Sequence, residues 1–572
     1  MTNFAHDMMT ANDTMNLPEM IVMTLIRRGI TRCVASPGTR NAPLVEAASA
    51  AGMDVTSVVD ERVAAFMALG IAATTGEPVA LICTSGSAML NYAPALAEAL
   101  YRDIPLIALT ADRPEVWIDR ADSQTIRQPS ALGAVVKRYA SLMSAGAPDA
   151  QRQASLTLNE LLIAATAFPQ GPVHLNIPID FTTDPQSGFT PRLVDIIEPE
   201  PALTVARTRQ LGCLLASPRK VLIAAGGYPP AEKLNRALAR LAELPNVAVV
   251  TEPTANLHGR LFIPSPEAAI IASADTTQLD RLRPDVVITV GGALVSAKLK
   301  GLLRHKPAPE HWVVGGMING CLPDTFGSIS TVVDLPAEAF MSQLASAMQP
   351  HRAPSTFGDD WRIASDRGAS LLRSVVARAP WCGLKAAATL LGLVPKRWNV
   401  QVSNGMNIRY ACLAACLTDA PHRFDCNRGV SGIDGSTSTA AGAALAYTSA
   451  PTLLLTGDMS ALYDMSVLAS GAIVPRLRIV VADNGGGGIF NFAKPTRNLA
   501  CRPALLEHKG LTLPLSQIAD GCGFDYFEAT SEAELRRVWP AFSSESHGRP
   551  AIMRLITDGA TDADIINRYY NQ

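Results

Sequence analysis

Two short segments of this chain carry groups that could act on a ligand. Gly457-Asp458 closes the apolar run PTLLLTGD (451–458), and DNGGGGIF (483–490) ends the next one, LRIVVADNG (477–485). A carboxylate just after one strand and an amide side chain just after the following strand would share one edge of a sheet. Asp458 and Asn484 offer hard oxygens, and the backbone carbonyl of Gly486 offers a third. Such a set can bind Mg²⁺ and leave positions for diphosphate oxygens. The glycine run 485–488 lets backbone approach a bound group closely. The bland alternative is that GD and NGGGG are turns; the pair, one helix–strand unit apart, says more than either alone.

A second set is cationic. Arg40 follows SPGT, Arg113 follows TAD, Arg428 follows Asn427, Arg409 ends SNGMNIR and Lys298 follows GGALVSA. Single surface arginines are usually solvated. Several placed after strands and turns suit carboxylates, which a guanidinium binds in bidentate fashion. Glu61, ahead of VAAFMALG, reads most simply as an acidic residue in the first turn of a helix. Ten cysteines are scattered with no CxxC and no zinc spacing. Cys412 and Cys416 are either a redox pair or buried thiols; reduced cysteines predict a cytoplasmic protein.

The elements that would position these groups are short apolar strands alternating with Ala-rich helical stretches. Examples are TRCVASPG (31–38), PVALICTSG (78–86), PLIALTADRP (105–114), KVLIAAGG (220–227) and DVVITVGG (285–292), with APALAEALYR (93–102) as an intervening helix. Continuous apolar strands of this kind predict an α/β fold with doubly wound parallel sheets, buried on both faces, and ligands at the carboxyl ends of the strands. Residues 60–114 and 434–485 read as one unit written twice. Thr84 lies 27 residues before Ala111, and Thr456 lies 26 before Ala482. A third α/β stretch lies between them. The expectation is three domains, 1–185, 200–350 and 360–572, the first and third similar, with candidate linkers at 185–201 and 349–360.

The 572 residues contain 49 Lys plus Arg against 51 Asp plus Glu, a net charge of −2, which argues against nucleic acid as a partner. Hydrophobic residues at 48% and charged ones at 17% predict a large core and a buried subunit interface rather than disorder. No apolar run has the length of a membrane span, and the N-terminal stretch lacks the pattern of a secretory signal.

With these residues in view, the sequence resembles the thiamine-diphosphate enzymes. Within them it is similar to the 2-succinyl-5-enolpyruvyl-6-hydroxy-3-cyclohexene-1-carboxylate synthase family of menaquinone biosynthesis. The segments that carry the resemblance are SPGTRNAPL (36–44), DERVAAFMALG (60–70), TSGSAMLNYAPALAEA (84–99), PLIALTADRP (105–114), DSQTIRQ (122–128), NRGVSGIDGSTSTAAG (427–442), GDMSALYDMSVL (457–468) and GGGIFNF (486–492). They span most of both outer domains; the middle domain matches weakly.

The resemblance implies a pyrimidine-binding first domain and a diphosphate-binding third domain. Asp458, the Asn484 side chain and the Gly486 carbonyl would hold Mg²⁺ or Mn²⁺. Because this chain has one more glycine than the usual pattern, Asp483 and Gly485 are the alternative pair. Ile489, Phe490, Ser431 and Ile433 would contact thiamine diphosphate. Glu61 would hydrogen-bond its aminopyrimidine ring, so that base and nucleophile belong to the cofactor; this accounts for the absence of histidine from every matched motif. Thr39, Arg40, Arg113, Ser123, Gln124, Lys298, Arg409 and Arg428 would bind substrate, with Gln124 also at the reacting groups. The family's substrates, 2-oxoglutarate and isochorismate, are both dicarboxylates. A homodimer or homotetramer with active sites at the subunit interface is implied too.

The reaction so implied is decarboxylation of 2-oxoglutarate and conjugate addition of the resulting succinyl carbanion to isochorismate. Three departures stand out: Thr39 for the family's common Ser, Ser123 for its common Asn, and Gly405 where a hydroxyl residue is frequent. The alternatives are another thiamine-diphosphate decarboxylase or carboligase, a non-catalytic homologue, and a nicotinamide dehydrogenase. The last lacks a GxGxxG opening a helix after a strand.

Overall fold

The computed structural model describes residues 16–143, 150–180, 193–273, 275–316, 321–348, 354–418, 423–493, 495–501, 514–546 and 548–572. Of the two candidate linkers, 185–192 and 349–353 lie outside the described residues, and 193–201 has no regular secondary structure.

Among the described residues seventeen strands form three sheets, and every pairing is parallel. The first sheet holds β1 (Arg32–Ala35), β2 (Asp54–Ser57), β3 (Val79–Cys83), β4 (Leu106–Asp112), β5 (Arg138–Ser141) and β6 (Val173–Pro178), in the order β2-β1-β3-β4-β6-β5. The second holds β7 (Val221–Ala225), β8 (Val247–Thr251), β9 (Val286–Val290), β10 (Glu310–Val314) and β11 (Ile329–Val333), in the order β11-β10-β9-β7-β8. The third holds β12 (Asn399–Val402), β13 (Arg423–Asp425), β14 (Thr452–Gly457), β15 (Leu477–Asp483), β16 (Asp525–Ala529) and β17 (Ala551–Ile556), in the order β13-β12-β14-β15-β17-β16.

The first and third sheets share one topology, strand for strand. The repeat therefore reaches beyond the two segments read as duplicated. Asp112 and Asp483 each end the fourth strand of their sheet. The central strands are apolar along their whole length because helices cover both faces: every residue of β3, β4 and β7 is buried. Edge strands such as β2 and β5 keep exposed positions and carry no continuous apolar run.

The chain divides into two compact units. One comprises Met1–Glu198 with Ser438–Tyr447 and Asp464–Val474; the other comprises Pro199–Thr437, Thr448–Tyr463 and Pro475–Gln572. In the first unit the helix Glu61–Thr75 begins at Asp60, whose carboxylate accepts the amides of Arg62 at 3.0 Å and Val63 at 3.2 Å, and it stops at Gly76. Its Ala-rich surface meets residues 438–447. A Cβ at Gly70 would lie 2.0 Å from the Thr439 carbonyl oxygen, and one at Gly442 would lie 2.0 Å from that of Met67. Glycine at both positions lets the two backbones touch. Asp464 accepts the Ser438 amide and hydroxyl at 2.7 and 2.8 Å, Arg62 lies 3.6 Å from Asp464, and Ser466 donates to Asp60.

In the second unit the chain leaves β7 and β9 at the point where the strand order reverses, the usual crevice for a nucleotide. Here that crevice is closed by backbone: the Gly226 amide donates to Val290 at 2.9 Å and the Gly292 amide to Gly227 at 2.8 Å.

Candidate active site

At the carboxyl edge of the third sheet, Asp458 opens the helix Asp458–Tyr463 directly after β14 and is 2% exposed. Its carboxylate accepts the Met459 amide at 2.7 Å and the Gly486 amide at 2.8 Å, so the glycine turn after β15 folds back onto it. Asn484 donates its amide NH₂ to Asp562 at 3.2 Å, and its amide oxygen accepts no hydrogen bond among the described residues. Asp562 is itself fixed by the Gly383 amide at 2.7 Å and the Thr557 hydroxyl at 3.0 Å; burial pushes its carboxyl above the ordinary range.

Asp483, the other candidate ligand, has both oxygens engaged. One accepts the Gly485 amide at 3.1 Å, and the other takes Arg554 Nε at 2.8 Å and Nη2 at 2.7 Å. Burial works to raise the Asp483 carboxyl, but the Arg554 guanidinium and the Gly485 amide outweigh it and hold the group below the carboxylate range. Two buried carboxyls and the Asn484 amide thus gather at one turn, and Arg554 pairs with Asp483. Among the described residues no group of three or more His, Cys, Asp or Glu side chains could hold a metal by itself. A hard cation there would rest on one carboxylate, an amide oxygen and a carbonyl, with the rest supplied by ligand oxygens, and the donors present fit that demand.

The cations of the second unit also gather. Lys298 Nζ donates to the Tyr570 carbonyl at 2.9 Å and lies 5.7 Å from that ring. The Arg409 guanidinium lies 5.8 Å from the ring of Phe492, on the short helix Gly488–Phe492 that also bears Ile489 and Phe490. Arg428 donates to Asn404 at 3.0 Å, and Asn404 in turn holds the carbonyls of Asn427 and Gly432. Lys300 joins them: burial, then the charge of Arg428, lowers its ammonium from the ordinary range, with Arg409 adding to the effect. Among the described residues none of these four cations forms an ion pair, and Nε of both Arg409 and Arg428 is buried without a hydrogen-bond partner. The charge of Glu252 also acts on Lys300, though not as an ion pair; half-buried cations without ion pairs suit an anionic ligand.

The helix Ala297–His305 that carries both lysines is held at its start by two buried carboxylates. Glu252 accepts the Val295 and Ser296 amides, each at 2.7 Å, and Glu267 accepts the Lys298 amide at 2.8 Å. Burial drives Glu252 up to about 7 despite its two amide donors. The place where a dinucleotide pyrophosphate would sit is thus filled by the chain's own acids, which removes the dehydrogenase reading.

In the first unit, Glu61 is the first residue of its helix, half-buried, with no hydrogen bond to its side chain among the described residues. Asp60 does the capping and leaves Glu61 available. Arg113 bonds Ser123 at 3.1 and 3.2 Å and pairs with Asp122 at 3.1 Å. Arg40 donates to the Ile179 carbonyl at 2.9 Å; burial and then the charge of Arg113 lower its guanidinium from the ordinary range. Thr39 and Gln124 are exposed. Gln124 sits at φ 54°, over Gly86, whose added Cβ would lie 3.4 Å from the Gln124 Cα. Gln128 ties that loop down: it accepts the Gly86 amide at 2.7 Å and donates to Ala111 at 3.1 Å and Asn176 at 2.8 Å. Among the described residues Ser36, Thr84 and Ser85 keep buried hydroxyls with no partner at the ends of β1 and β3.

The structure thus groups Arg40, Arg113 and Ser123 in one unit. In the other it groups Asp458, Asn484 and Gly486, and also Lys298, Arg409 and Arg428. Ser431 lies at φ 64°, a region few non-glycine residues occupy, and Ile433 is 39% exposed with its carbonyl held by Ser460. Gly405 has φ 88°, so the missing hydroxyl there follows from a backbone that a side chain would strain. Sequence reasoning missed Asp562, Lys300, Tyr570 and Phe492, for no local motif marks a residue whose role comes from a contact 78 positions away, as between Asn484 and Asp562. Cys412 and Cys416 form no disulfide, the first buried and the second half-buried; burial pushes the first thiol well up and the second up to about 12, which disfavours the thiolates a redox pair needs.

Three parallel sheets, the first and third of one topology, are the fold expected of the thiamine-diphosphate class of enzymes. Residues 15–131 match the family model described as thiamine pyrophosphate enzyme, N-terminal TPP binding domain. The chain is 35% identical over 566 residues to the 2-succinyl-5-enolpyruvyl-6-hydroxy-3-cyclohexene-1-carboxylate synthase of Porphyromonas gingivalis, covering 95% of this chain and 94% of the relative. It is 34% identical to the synthase of that name from Flavobacterium johnsoniae, over 97% and 98% of the two chains. With the Bacteroides fragilis synthase it shares 31% over 98% and 99%. The chain belongs to the 2-succinyl-5-enolpyruvyl-6-hydroxy-3-cyclohexene-1-carboxylate synthase family of thiamine-diphosphate-dependent enzymes.

Proposed function

We propose that this enzyme decarboxylates 2-oxoglutarate and transfers the remaining succinyl unit to isochorismate in menaquinone biosynthesis, in the cytoplasm. The observation that carries the substrate class is the cluster of Lys298, Lys300, Arg409 and Arg428, half-buried and without ion pairs among the described residues. Such a cluster favours a ligand with more than one carboxylate over the smaller, less anionic substrates of other carboligases.

Asp458, the Asn484 amide oxygen and the Gly486 carbonyl would hold Mg²⁺ or Mn²⁺ against the cofactor diphosphate. Asn484 is preferred to Asp483 because the Arg554 guanidinium already pairs with Asp483, whereas the Asn484 amide oxygen accepts no hydrogen bond among the described residues. Bound there, thiamine diphosphate supplies the carbon nucleophile and the electron sink for decarboxylation. The chain's residues do the rest. Glu61 holds a proton at the aminopyrimidine ring. Ile489, Phe490, Ser431 and Ile433 shape the cofactor pocket and limit water. Lys298, Arg409 and Arg428 fix the oxo acid, and Thr39, Arg40, Arg113, Ser123 and Gln124 orient the acceptor. Exposed apolar side chains at Val59, Val116 and Trp117 fit burial against a second copy, in a homodimer or homotetramer with sites at the subunit interface.

The test is paired. Purified enzyme with thiamine diphosphate, Mg²⁺ and 2-oxoglutarate is assayed with and without isochorismate, as wild type and as Glu61→Gln. Isochorismate consumption should need every component, and the variant should bind cofactor yet lose at least about a hundredfold in turnover. Carbon dioxide release indifferent to isochorismate would leave the cofactor chemistry standing and reject the acceptor. Cofactor binding without turnover in the wild type would mark a non-catalytic homologue.

A further inference from the structure

The last helix, Gly559–Tyr570, touches two parts of the second unit that the reaction needs. Near its start Asp562 holds Asn484. At its end Tyr570 stands among the cations. Its carbonyl accepts Lys298 Nζ at 2.9 Å, and its ring lies 5.7 Å from the same atom. The ring also meets Phe492 edge-on, with centroids 4.8 Å apart and planes at 73°. Phe492 in turn lies 5.8 Å from the Arg409 guanidinium. The contacts run in one line: Lys298, Tyr570, Phe492, Arg409.

Both ends of that line are anchored. Burial, and then the charge of Glu267, the carboxylate that also accepts the Lys298 amide at 2.8 Å, raise the Tyr570 hydroxyl well above its ordinary range. Tyr569 is fully buried beside it, with ring centroids 6.0 Å apart, and Asn567 donates to the Asn491 carbonyl next to Phe492 at 3.5 Å. A lysine ammonium on a flexible stem has little directional preference of its own. A ligand with two carboxylates gains from two cations only when their spacing is fixed beforehand.

We propose that Tyr570 is a positioning residue that sets the spacing between Lys298 and Arg409, and so the length of dicarboxylate the site accepts. The proposal rests on the dicarboxylate reading above and adds the element that fixes the span. Tyr570→Ala keeps the carbonyl to Lys298 but removes the ring from the line. Tyr570→Phe keeps the ring and loses only the hydroxyl.

The experiment uses the enzyme loaded with thiamine diphosphate and Mg²⁺. Calorimetry measures the binding of glutarate, an unreactive dicarboxylate, and of its shorter and longer homologues succinate and adipate; kinetics give KM and kcat for 2-oxoglutarate. Tyr570→Ala should weaken glutarate binding and raise KM by about tenfold. It should narrow the preference for glutarate over succinate and adipate, with kcat and thiamine-diphosphate affinity within about twofold of wild type. Tyr570→Phe should restore both. Should the alanine variant fail to fold, Tyr570→Leu keeps apolar bulk without an aromatic face and carries the same expectation. An alanine or leucine variant with unchanged glutarate affinity and length preference overturns the proposal alone. Equal losses for cofactor and glutarate overturn it in favour of a general structural role. A wild-type enzyme that binds no dicarboxylate overturns it together with the reading it rests on.

Discussion

His174 shows how a single buried side chain links stability to pH. It lies inside β6 with no exposure, its Nε2 2.7 Å from the Thr110 hydroxyl, and its Nδ1 has no partner among the described residues. Burial lowers its pKa from 6.5 to about 4. A histidine depressed in the folded state is neutral there while the unfolded chain takes up a proton. Its contribution is therefore whole above pH 6.5 and is lost as pH falls from 6.5 toward about 4. The shift corresponds to about 3 kcal/mol over that window. Denaturant unfolding at pH 7 and pH 4.5 should show that loss in the wild type, and His174→Gln should flatten the difference. An unaltered pH slope in the variant would remove His174 as the cause.

Among the elements, the pair of helices around Glu61–Thr75 and residues 438–447 is the most exacting. Each sits in the same place in its copy of the repeated unit, and they meet through glycine. At Gly70 an added Cβ would lie 2.0 Å from the backbone carbonyl of Thr439, where no side-chain rotation can relieve it. Gly70→Ala should therefore destabilise by about 3 kcal/mol or more, whereas alanine at most helix-interior glycines is favourable. Urea unfolding midpoints of Gly70→Ala and of Gly392→Ala, whose Cβ meets nothing within 4 Å, test this directly. Equal midpoints for the two would show that the helices have room to part. The helix also bears Glu61, so its seat against residues 438–447 governs where that carboxylate stands.

At the scale of the whole molecule, a ligand that binds only folded protein stabilises it by mass action. Thiamine diphosphate with Mg²⁺, each near a hundred times its dissociation constant, should add about 2.7 kcal/mol for each independent site and raise the thermal midpoint by a few degrees. On the proposed reading the two should act together, since the diphosphate would complete the coordination of a metal at Asp458. Asp458→Asn should abolish the joint shift while leaving the midpoint without ligand nearly unchanged. A shift that survives in Asp458→Asn would place the metal elsewhere. Among the described residues no helix is long and apolar enough to cross a membrane.

Much of this was legible from local pattern. Continuous apolar runs such as VALIC and LIALTAD announce strands buried on both faces, and every strand so read is present, with ends shifted by a few residues. The repeat was visible in the matched spacing of Thr84 and Thr456, because one topology repeated places like residues at like strand ends. Short edge strands such as β2, β5 and β13 were not legible, since half-exposed strands need no continuous apolar run. That Asp458 and Asn484 stand just after adjacent strands could be read, because strand ends are local in sequence.

What only the tertiary structure decided is which groups share a contact. It placed Lys300 with Arg409 and Arg428, set Asp562 behind Asn484, and gave Asp483 to Arg554. It also filled the central helix terminus with Glu252 and Glu267, and carried Tyr570 from the last turn of the chain to Lys298. Composition, strand pattern and strand-end motifs are properties of neighbouring residues, so the sequence by itself determined them. Partnerships across tens or hundreds of residues depend on how sheets and helices pack. No local spacing encodes that packing, and only the fold could decide them.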